Sequence, residues 1–212
     1  MITVLCGPPG SGKTTLATRL QRRMVGGPPV GDMSDWLKEA SSLQRSSLAD
    51  RQNQGQLWPD DLVCEVWERR MMGREYSHGV IMAGFPRTLE QAERLLMVSR
   101  LKFTSADHPA VVVELKLGRA ESNQRRLKRI AEAQERGLEG RRDDEEEVFA
   151  RRWEAFEFLT KPMIESLKSQ HSAPVITISA APPVDQVTDE LFEKLTAKGV
   201  TFRPPAAGCF HP

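Results

Sequence analysis

The chain has 212 residues, a length typical of one domain or of one domain with inserts. Its 30 Lys and Arg residues nearly balance its 29 Asp and Glu residues, and the formal net charge of +1 excludes a polycation dedicated to nucleic acid or to an anionic membrane surface. Hydrophobic residues make up 39% of the chain, which is enough for a buried core and excludes wholesale disorder.

Four short apolar runs predict the strands of a parallel sheet. They lie at 2–6, 80–83, 110–115 and 174–178, and they are continuous, as expected of strands buried on both faces. Helical patterns lie around and between them, at 13–24, 34–43, 60–72, 88–98, 122–133, 145–159 and 184–195. Pro162 predicts a kink or break near Thr160. This alternation predicts a doubly wound α/β fold, followed by an irregular tail at 197–212.

The first predicted connection carries a phosphate-binding motif. Residues 7–15 read GPPGSGKTT, which matches GxxxxGK[ST] directly after a strand and before a helix. Backbone N–H groups around the glycines and the helix N-terminus bind phosphate oxygens. Lys13 is placed to reach the β- and γ-phosphates, and Thr14 or Thr15 to offer a hydroxyl to Mg²⁺. The motif predicts a nucleoside triphosphate site. The other interpretation, a glycine-rich turn with a solvated lysine, does not explain this placement.

A second candidate anion site follows the second predicted strand. Gly84, Phe85, Pro86 and Arg87 come directly after it, at the sheet edge where parallel sheets bind ligands. Arg87 is therefore placed near the first phosphate site, and Gln91 shares its helical face.

Further arginines are spaced to converge on the same region. Arg125 and Arg129 are four residues apart and share one helix face. A continuous helix would also stack Arg141 and Arg152 on one side. Positioned cations suit phosphoryl transfer, which spreads negative charge over phosphate oxygens. From spacing alone, two solvated basic helix faces remain an alternative.

These segments together resemble the adenylate kinase family of nucleoside monophosphate kinases. The resemblance runs in order over about residues 1–196. It rests on GPPGSGKTT, on GFPRT at 84–88 with Gln91, on DWLK at 35–38, on GQLWPD at 55–60, and on RRDD at 141–144 with Arg152. It implies the P-loop NTPase fold, a parallel sheet of about five strands, a monophosphate-binding insert at about 33–62 and a short lid at about 130–140. The implied reaction is transfer of the γ-phosphate of ATP, with Mg²⁺, to a nucleoside monophosphate.

The resemblance also implies the role of each site residue. Catalytic roles fall on Lys13, Arg87, Arg129, Arg141 and Arg152. The implied ATP-binding residues are Gly10, Ser11, Gly12, Lys13, Thr14, Thr15, Arg125, Arg129 and, through its carbonyl, Pro182. The implied monophosphate-binding residues are Met33, Lys38, Gln56, Leu57, Trp58, Gly84, Phe85, Pro86, Arg87, Gln91, Arg141 and Arg152. The Gln91 amide can both donate to and accept from adenine, so AMP is the expected acceptor.

Several positions depart from the family pattern. Lys38 replaces an arginine and loses its bidentate fork, and Trp58 replaces a small aliphatic residue at the same pocket. Ala83 replaces an aspartate that helps to organise the waters of Mg²⁺. Asp35 is then the expected nearest carboxylate, together with Thr14 and Thr15, and activity is expected to need more Mg²⁺ than in relatives that have the aspartate.

Two other functions remain open at this point. One is a pyrimidine or other nucleoside monophosphate kinase, against which Gln91 argues because pyrimidine-specific relatives tend to have Asn nearby. The other is a nucleotide-binding regulator without turnover, which the missing aspartate at Ala83 would favour.

The remaining expectations concern the setting of the protein. No run of about 18 apolar residues exists, the start lacks an export signal, and the three cysteines are far apart. The four histidines are scattered, so no structural zinc is expected. We expect a cytoplasmic monomer whose partners are ATP and a nucleoside monophosphate, with no nucleic acid and no membrane.

Overall fold

The described part of the chain is built on one parallel sheet. The computed structural model describes residues 1–23, 27–43, 50–51, 53–104, 109–138, 144–170 and 172–200. Within these ranges the strands are β1 (Ile2–Cys6), β2 (Val30–Asp32), β3 (Val80–Ala83), β4 (Ala110–Lys116) and β5 (Val175–Ser179). Their order is β2-β3-β1-β4-β5 and every pair is parallel, which confirms the predicted doubly wound fold.

Helices cover both faces of this sheet. They are α1 (Lys13–Arg23), α2 (Met33–Leu43), α3 (Asp60–Met71), α4 (Leu89–Lys102), α5 (Arg119–Glu135), α6 (Glu146–Ala155), α7 (Lys161–Ser169) and α8 (Val184–Ala197). Successive strand side chains point to opposite faces. Ile2 and Val4 therefore pack in one cluster with α2, α3, α4 and α7, whereas Leu5 packs in the other with α1 and α8.

The predicted elements agree with the structure except at β2. The four apolar runs are strands, each within one residue of its predicted bounds. β2 was not predicted, because its three residues, Val-Gly-Asp, do not form an apolar run. Near the kink or break expected from Pro162, a π-helical turn at Phe156–Thr160 interrupts the α-helical hydrogen bonding between α6 and α7. Pro162 lies in the first turn of α7, where its fixed φ is compatible with the helix.

The described helices include none that is long and apolar enough to cross a membrane. α8 ends at Ala197, and most of the predicted tail, residues 201–212, lies outside the described residues.

Candidate active site

The two predicted phosphate-binding segments leave the same edge of the sheet. Residues 7–12 connect β1 to α1, and residues 84–88 connect β3 to α4. β1 and β3 are neighbours, with Leu5 opposite Ala83, so the two connections lie side by side. That carboxyl edge is where open parallel sheets bind ligands.

The phosphate loop is held in a wound conformation. Gly10 and Gly12 have φ values of 75° and 81°, in the left-handed region that L side chains rarely adopt. From α5, the Ser122 hydroxyl donates to the Pro9 carbonyl at 2.5 Å. A Cβ at Gly10 would lie 3.2 Å from that hydroxyl oxygen, so glycine is required here for space as well as for conformation.

The Lys13 amine lies against the inside of this loop. Its Nζ donates to the carbonyls of Gly7 and Pro8, at 2.9 and 2.8 Å, and to the Ser11 hydroxyl at 3.2 Å. The Ser11 hydroxyl in turn donates to the Pro8 carbonyl at 2.8 Å. All three acceptors of the amine are neutral, so a phosphate would offer it stronger, charged acceptors.

Two arginines share the surroundings of Lys13. Burial, followed by the charges of Arg87 and Arg152, lowers the pKa of Lys13 from 10.5 to about 7. Burial also raises the pKa of the Cys6 thiol to about 12, an effect that Lys13 and Arg87 oppose. We call Lys13, Arg87 and Arg152 the cation cluster. Because like charges at close range disfavour each other, the cluster favours a bound anion such as phosphate.

The fold holds Arg87 in place through its backbone and its side chain. Its N–H donates to Gln91 Oε1 at 2.8 Å, its carbonyl accepts from the Thr160 hydroxyl at 3.0 Å, and its Nε donates to the Gly84 carbonyl at 3.0 Å. Gly84 has a φ of 76°, and a Cβ there would lie 3.3 Å from the Arg87 guanidinium. The guanidinium is therefore positioned by the turn that follows β3.

The Gln91 amide is bound at both ends. Besides accepting from the Arg87 N–H, it donates from Nε2 to Asp60 Oδ1 at 2.7 Å, and the Thr88 hydroxyl donates to Asp60 Oδ2 at 2.8 Å. The amide thus ties α4 to α3 and supports Arg87. It keeps a second N–H and a second lone pair, so its expected contact with the acceptor base stays a prediction. Asp60 is a supporting residue to which sequence analysis assigned no role, although it ends the GQLWPD segment.

Two compartments adjoin the cation cluster. The phosphate compartment, with an empty volume of about 480 Å³, lies beside the phosphate loop and the end of β1. The acceptor compartment, of about 680 Å³, lies between α2, residues 53–58 and the turn after β3. Arg87 and Arg152 line both compartments, so two cations stand at the boundary between them.

The predicted monophosphate-binding residues mostly converge on the acceptor compartment. Phe85 does not, since it is fully buried and stacks on Trp67 with ring centroids 5.0 Å apart. Its ring anchors the turn after β3 to α3, and its predicted part in monophosphate binding stays a prediction. Pro86 lines the phosphate compartment. The acceptor compartment is lined by Met33, Lys38, Gln56, Leu57, Trp58, Gly84, Arg87, Gln91 and Arg152.

Arg125 and Arg129 lie on α5 and bind different parts of the fold. Arg125 Nη2 donates to the carbonyls of Ala180 and Ala181, at 2.7 and 3.1 Å, in the connection that also contains Pro182. Arg129 Nε donates to the buried Asp144 carboxylate at 2.9 Å. Among the described residues, neither arginine lines the two compartments. Their contacts to ATP, and that of Pro182, stay predictions.

Arg141 and part of the predicted lid lie outside the described residues. Of the lid, residues 130–138 are described, and α5 continues through them to Glu135. The continuous helix expected from Arg141 to Arg152 is wrong, because α6 begins at Glu146 and Glu145 before it is extended, with φ −60° and ψ 138°. Arg152 is therefore positioned by α6, on which it lies.

The carboxylate beside the phosphate loop is Asp32 and not Asp35. Asp32 ends β2, and its Oδ2 accepts from the Thr14 hydroxyl at 2.8 Å. The Asp35 side chain is 73% exposed and lies 3.5 Å from Lys38 Nζ. α2 begins at Met33 and carries Asp35 out into solvent, so Asp35 is not the carboxylate beside the loop, and its expected part in holding Mg²⁺ stays a prediction. Asp32 could not be recognised from the sequence, because β2 is not an apolar run. A hydroxyl and a carboxylate are oxygen ligands of the kind that suits Mg²⁺.

Known proteins match the chain along nearly its whole length. The family model for adenylate kinase matches residues 5–172. An adenylate kinase of Nitrobacter hamburgensis is 32% identical over 213 residues, which cover 98% of this chain and 100% of that protein. An adenylate kinase of Phenylobacterium zucineum is 34% identical over 198 residues, which cover 92% of this chain and 98% of that protein. Because the matched region extends from the phosphate loop beyond Arg152, the chain belongs to the adenylate kinase family and is a nucleoside monophosphate kinase.

Proposed function

We propose that this kinase transfers the γ-phosphate of ATP to AMP and forms two ADP. The observation that carries the proposal is the shared lining of the two compartments. Arg87 and Arg152 border both, so a phosphate passing from one site to the other stays in contact with the same two cations. The sequence similarity to proteins named adenylate kinase supports AMP as the acceptor.

The proposed mechanism relies on positioning and electrostatics. The acceptor phosphate is already an anionic nucleophile, so no general base is needed. Lys13 and the loop N–H groups hold the β- and γ-phosphates of ATP, while Arg87 and Arg152 hold the acceptor phosphate and the charge that develops between the two sites. Thr14 and Asp32 are the residues that would hold Mg²⁺, which would supply further positive charge to the phosphates of ATP.

The acceptor compartment offers an apolar surface to the base. Met33, Leu37, Leu57, Trp58 and Val63 line it, and aromatic and aliphatic side chains pack against the flat faces of a nucleobase. Lys38 lines the same compartment and supplies a positive charge for the phosphate. Gln91 lines it as well, and its amide keeps one N–H and one lone pair with which it can bind adenine.

The acceptor is tested with a panel of nucleoside monophosphates in a coupled assay that follows ADP. We expect AMP to give the highest kcat/KM and dAMP the next highest. A higher kcat/KM for CMP or UMP would overturn the choice of AMP and favour a pyrimidine kinase. Absence of turnover with every monophosphate would favour a nucleotide-binding regulator. The Lys13→Ala variant, purified in the same way, measures any contaminating kinase.

Further parts of the proposal concern organisation and setting. We propose one kinase domain over residues 1–196, with the monophosphate-binding insert at about 33–62 and the lid at about 130–140. A monomeric state and a cytoplasmic location stay predictions.

A further inference from the structure

The end of β3 has no side chain that can orient a cation. Ala83 is the last residue of this strand and is 1% exposed. The resemblance described above implies an aspartate at this position, where it would organise the waters of Mg²⁺. A methyl group cannot replace it, so the carboxylate that the reaction uses must come from another element.

The adjacent strand provides one in register. Asp32 at the end of β2 lies directly opposite Ala83. Residues paired in this way project from the same face of the sheet, and neighbouring strands are about 4.8 Å apart. The carboxylate is therefore displaced by one strand from its usual position, along the same edge of the sheet.

Both oxygens of the Asp32 carboxylate are held by the fold. Oδ1 accepts from the Ser34 N–H at 2.9 Å, and Oδ2 accepts from the Thr14 hydroxyl at 2.8 Å. The first bond anchors the side chain to the start of α2, and the second connects it to the residue that follows Lys13. Thr14 occupies the position from which phosphate loops offer a hydroxyl to Mg²⁺. The charge of Asp32 also reaches the loop amine, because it opposes the lowering of the Lys13 pKa.

Other carboxylates of the described site are used elsewhere. Asp60 accepts from Thr88 and Gln91, and Asp144 is paired with Arg129. Asp35 is exposed to solvent beside Lys38.

We propose that Asp32 is the positioning carboxylate for ATP-bound Mg²⁺ in this chain, in the role for which β3 has no side chain. It orients the Thr14 hydroxyl towards the cation and accepts hydrogen bonds from water molecules bound to the cation. This inference rests on the proposed phosphotransfer function only in taking ATP with Mg²⁺ as the donor.

The test compares ATP binding with and without Mg²⁺ by calorimetry, with no acceptor present. In Asp32→Asn, the factor by which Mg²⁺ strengthens ATP binding is expected to fall by about 10–100-fold. Binding of metal-free ATP should stay equal or become tighter, because a negative charge near the phosphates is removed. A merely structural role of Asp32 would weaken both forms equally, and that result would overturn the proposal, as would an unchanged factor.

Asp189→Asn is the matched control, since it makes the same change in a carboxylate on α8 that is ion-paired with Arg23. It should leave both affinities unchanged. The double variant Asp32→Asn with Ala83→Asp returns a carboxylate to the adjacent strand, and we expect it to regain at least about tenfold of the lost factor. If the folded double variant does not recover any of the effect of Mg²⁺ on ATP binding, the assignment of the cation to this edge of the sheet is contradicted.

Two further arms keep the test decisive. Should Asp32→Asn fail to fold, Thr14→Val removes the partner hydroxyl, and an unchanged Mg²⁺ factor in that variant contradicts the proposal. The test also separates this inference from the proposed function. If the unmodified protein transfers phosphate to no monophosphate, but the effect of Mg²⁺ on ATP binding depends on Asp32, only the phosphotransfer proposal is overturned. If transfer occurs and the effect of Mg²⁺ on ATP binding does not depend on Asp32, only this inference is overturned.

Discussion

Lys13→Ala is expected to lower kcat by at least about 100-fold while the protein stays folded, since loss of one preorganised donor to a developing charge costs 10²–10³-fold. The Lys13 amine lies inside the phosphate loop, bound to the carbonyls of Gly7 and Pro8 and next to Arg87 and Arg152. Its removal also relieves repulsion among the cations, so folding should not suffer. Circular dichroism and thermal melting check the fold, and initial rates of ADP formation check kcat.

Lys13 is also expected to take up a proton when the unmodified protein binds ATP. The pKa of Lys13 is lowered to about 7, mainly by burial, so at pH 8 most of the amine is neutral in the free protein. Bound phosphate stabilises the ammonium and raises this pKa. ATP binding at pH 8 should therefore take up nearly one proton, and affinity should rise as the pH falls from 9 to 7. Calorimetry in buffers of different ionisation enthalpy measures the uptake, which should vanish in Lys13→Ala.

Lys194→Ala serves as the control for both effects. Lys194 lies on α8 and is paired with Glu190, so it should change neither the rate nor the proton uptake. Near-normal turnover in Lys13→Ala would contradict the assignment of the phosphate loop.

Arg87→Ala is expected to lower kcat/KM for the acceptor by about 10³-fold or more, as loss of an arginine that stabilises a transferring phosphoryl group does elsewhere. The loss of ATP affinity should be much smaller, because ATP is held mainly by the loop after β1, whereas Arg87 follows β3. Binding of ATP alone and of the monophosphate alone, measured by calorimetry, separates the two effects.

Two variants calibrate the Arg87 result. Arg87→Lys keeps the charge but loses the bidentate fork, so it should recover only part of the activity. Arg94→Ala removes an arginine on α4 that pairs with Glu68 and should leave the kinetics unchanged. Equal loss of ATP and acceptor affinity in Arg87→Ala would contradict the division of the site between the two loops.

The phosphate loop and the central sheet could be predicted because their signals are local. The strands β1, β3 and β4 are short runs of mainly apolar residues, and the loop motif lies directly between β1 and α1. β2 could not be predicted in this way. It is a three-residue edge strand whose pairing with β3 depends on the whole fold. No sequence signal therefore pointed to Asp32, whereas Asp35 belongs to the recognisable DWLK segment.

Motif position also could not reveal how the side chains of one segment are held within the fold. Gln91 and Phe85 both belong to a recognisable segment, but the amide of Gln91 is bound by Asp60 and the Arg87 N–H, and Phe85 is stacked on Trp67. Both contacts join α3 to the turn after β3 or to α4. The partners are far apart in sequence, so a local sequence pattern cannot predict these contacts. The residues that position Arg87 therefore emerge only from the folded structure.

The most direct test of the account follows the γ-phosphate itself. The purified chain is incubated with Mg²⁺, AMP and ATP that is labelled in its γ-phosphate, and the labelled products are separated. The account predicts that the label is found in the β-phosphate of ADP, with two ADP formed for each AMP consumed. Label released as inorganic phosphate, with AMP unchanged, would contradict transfer between the two compartments.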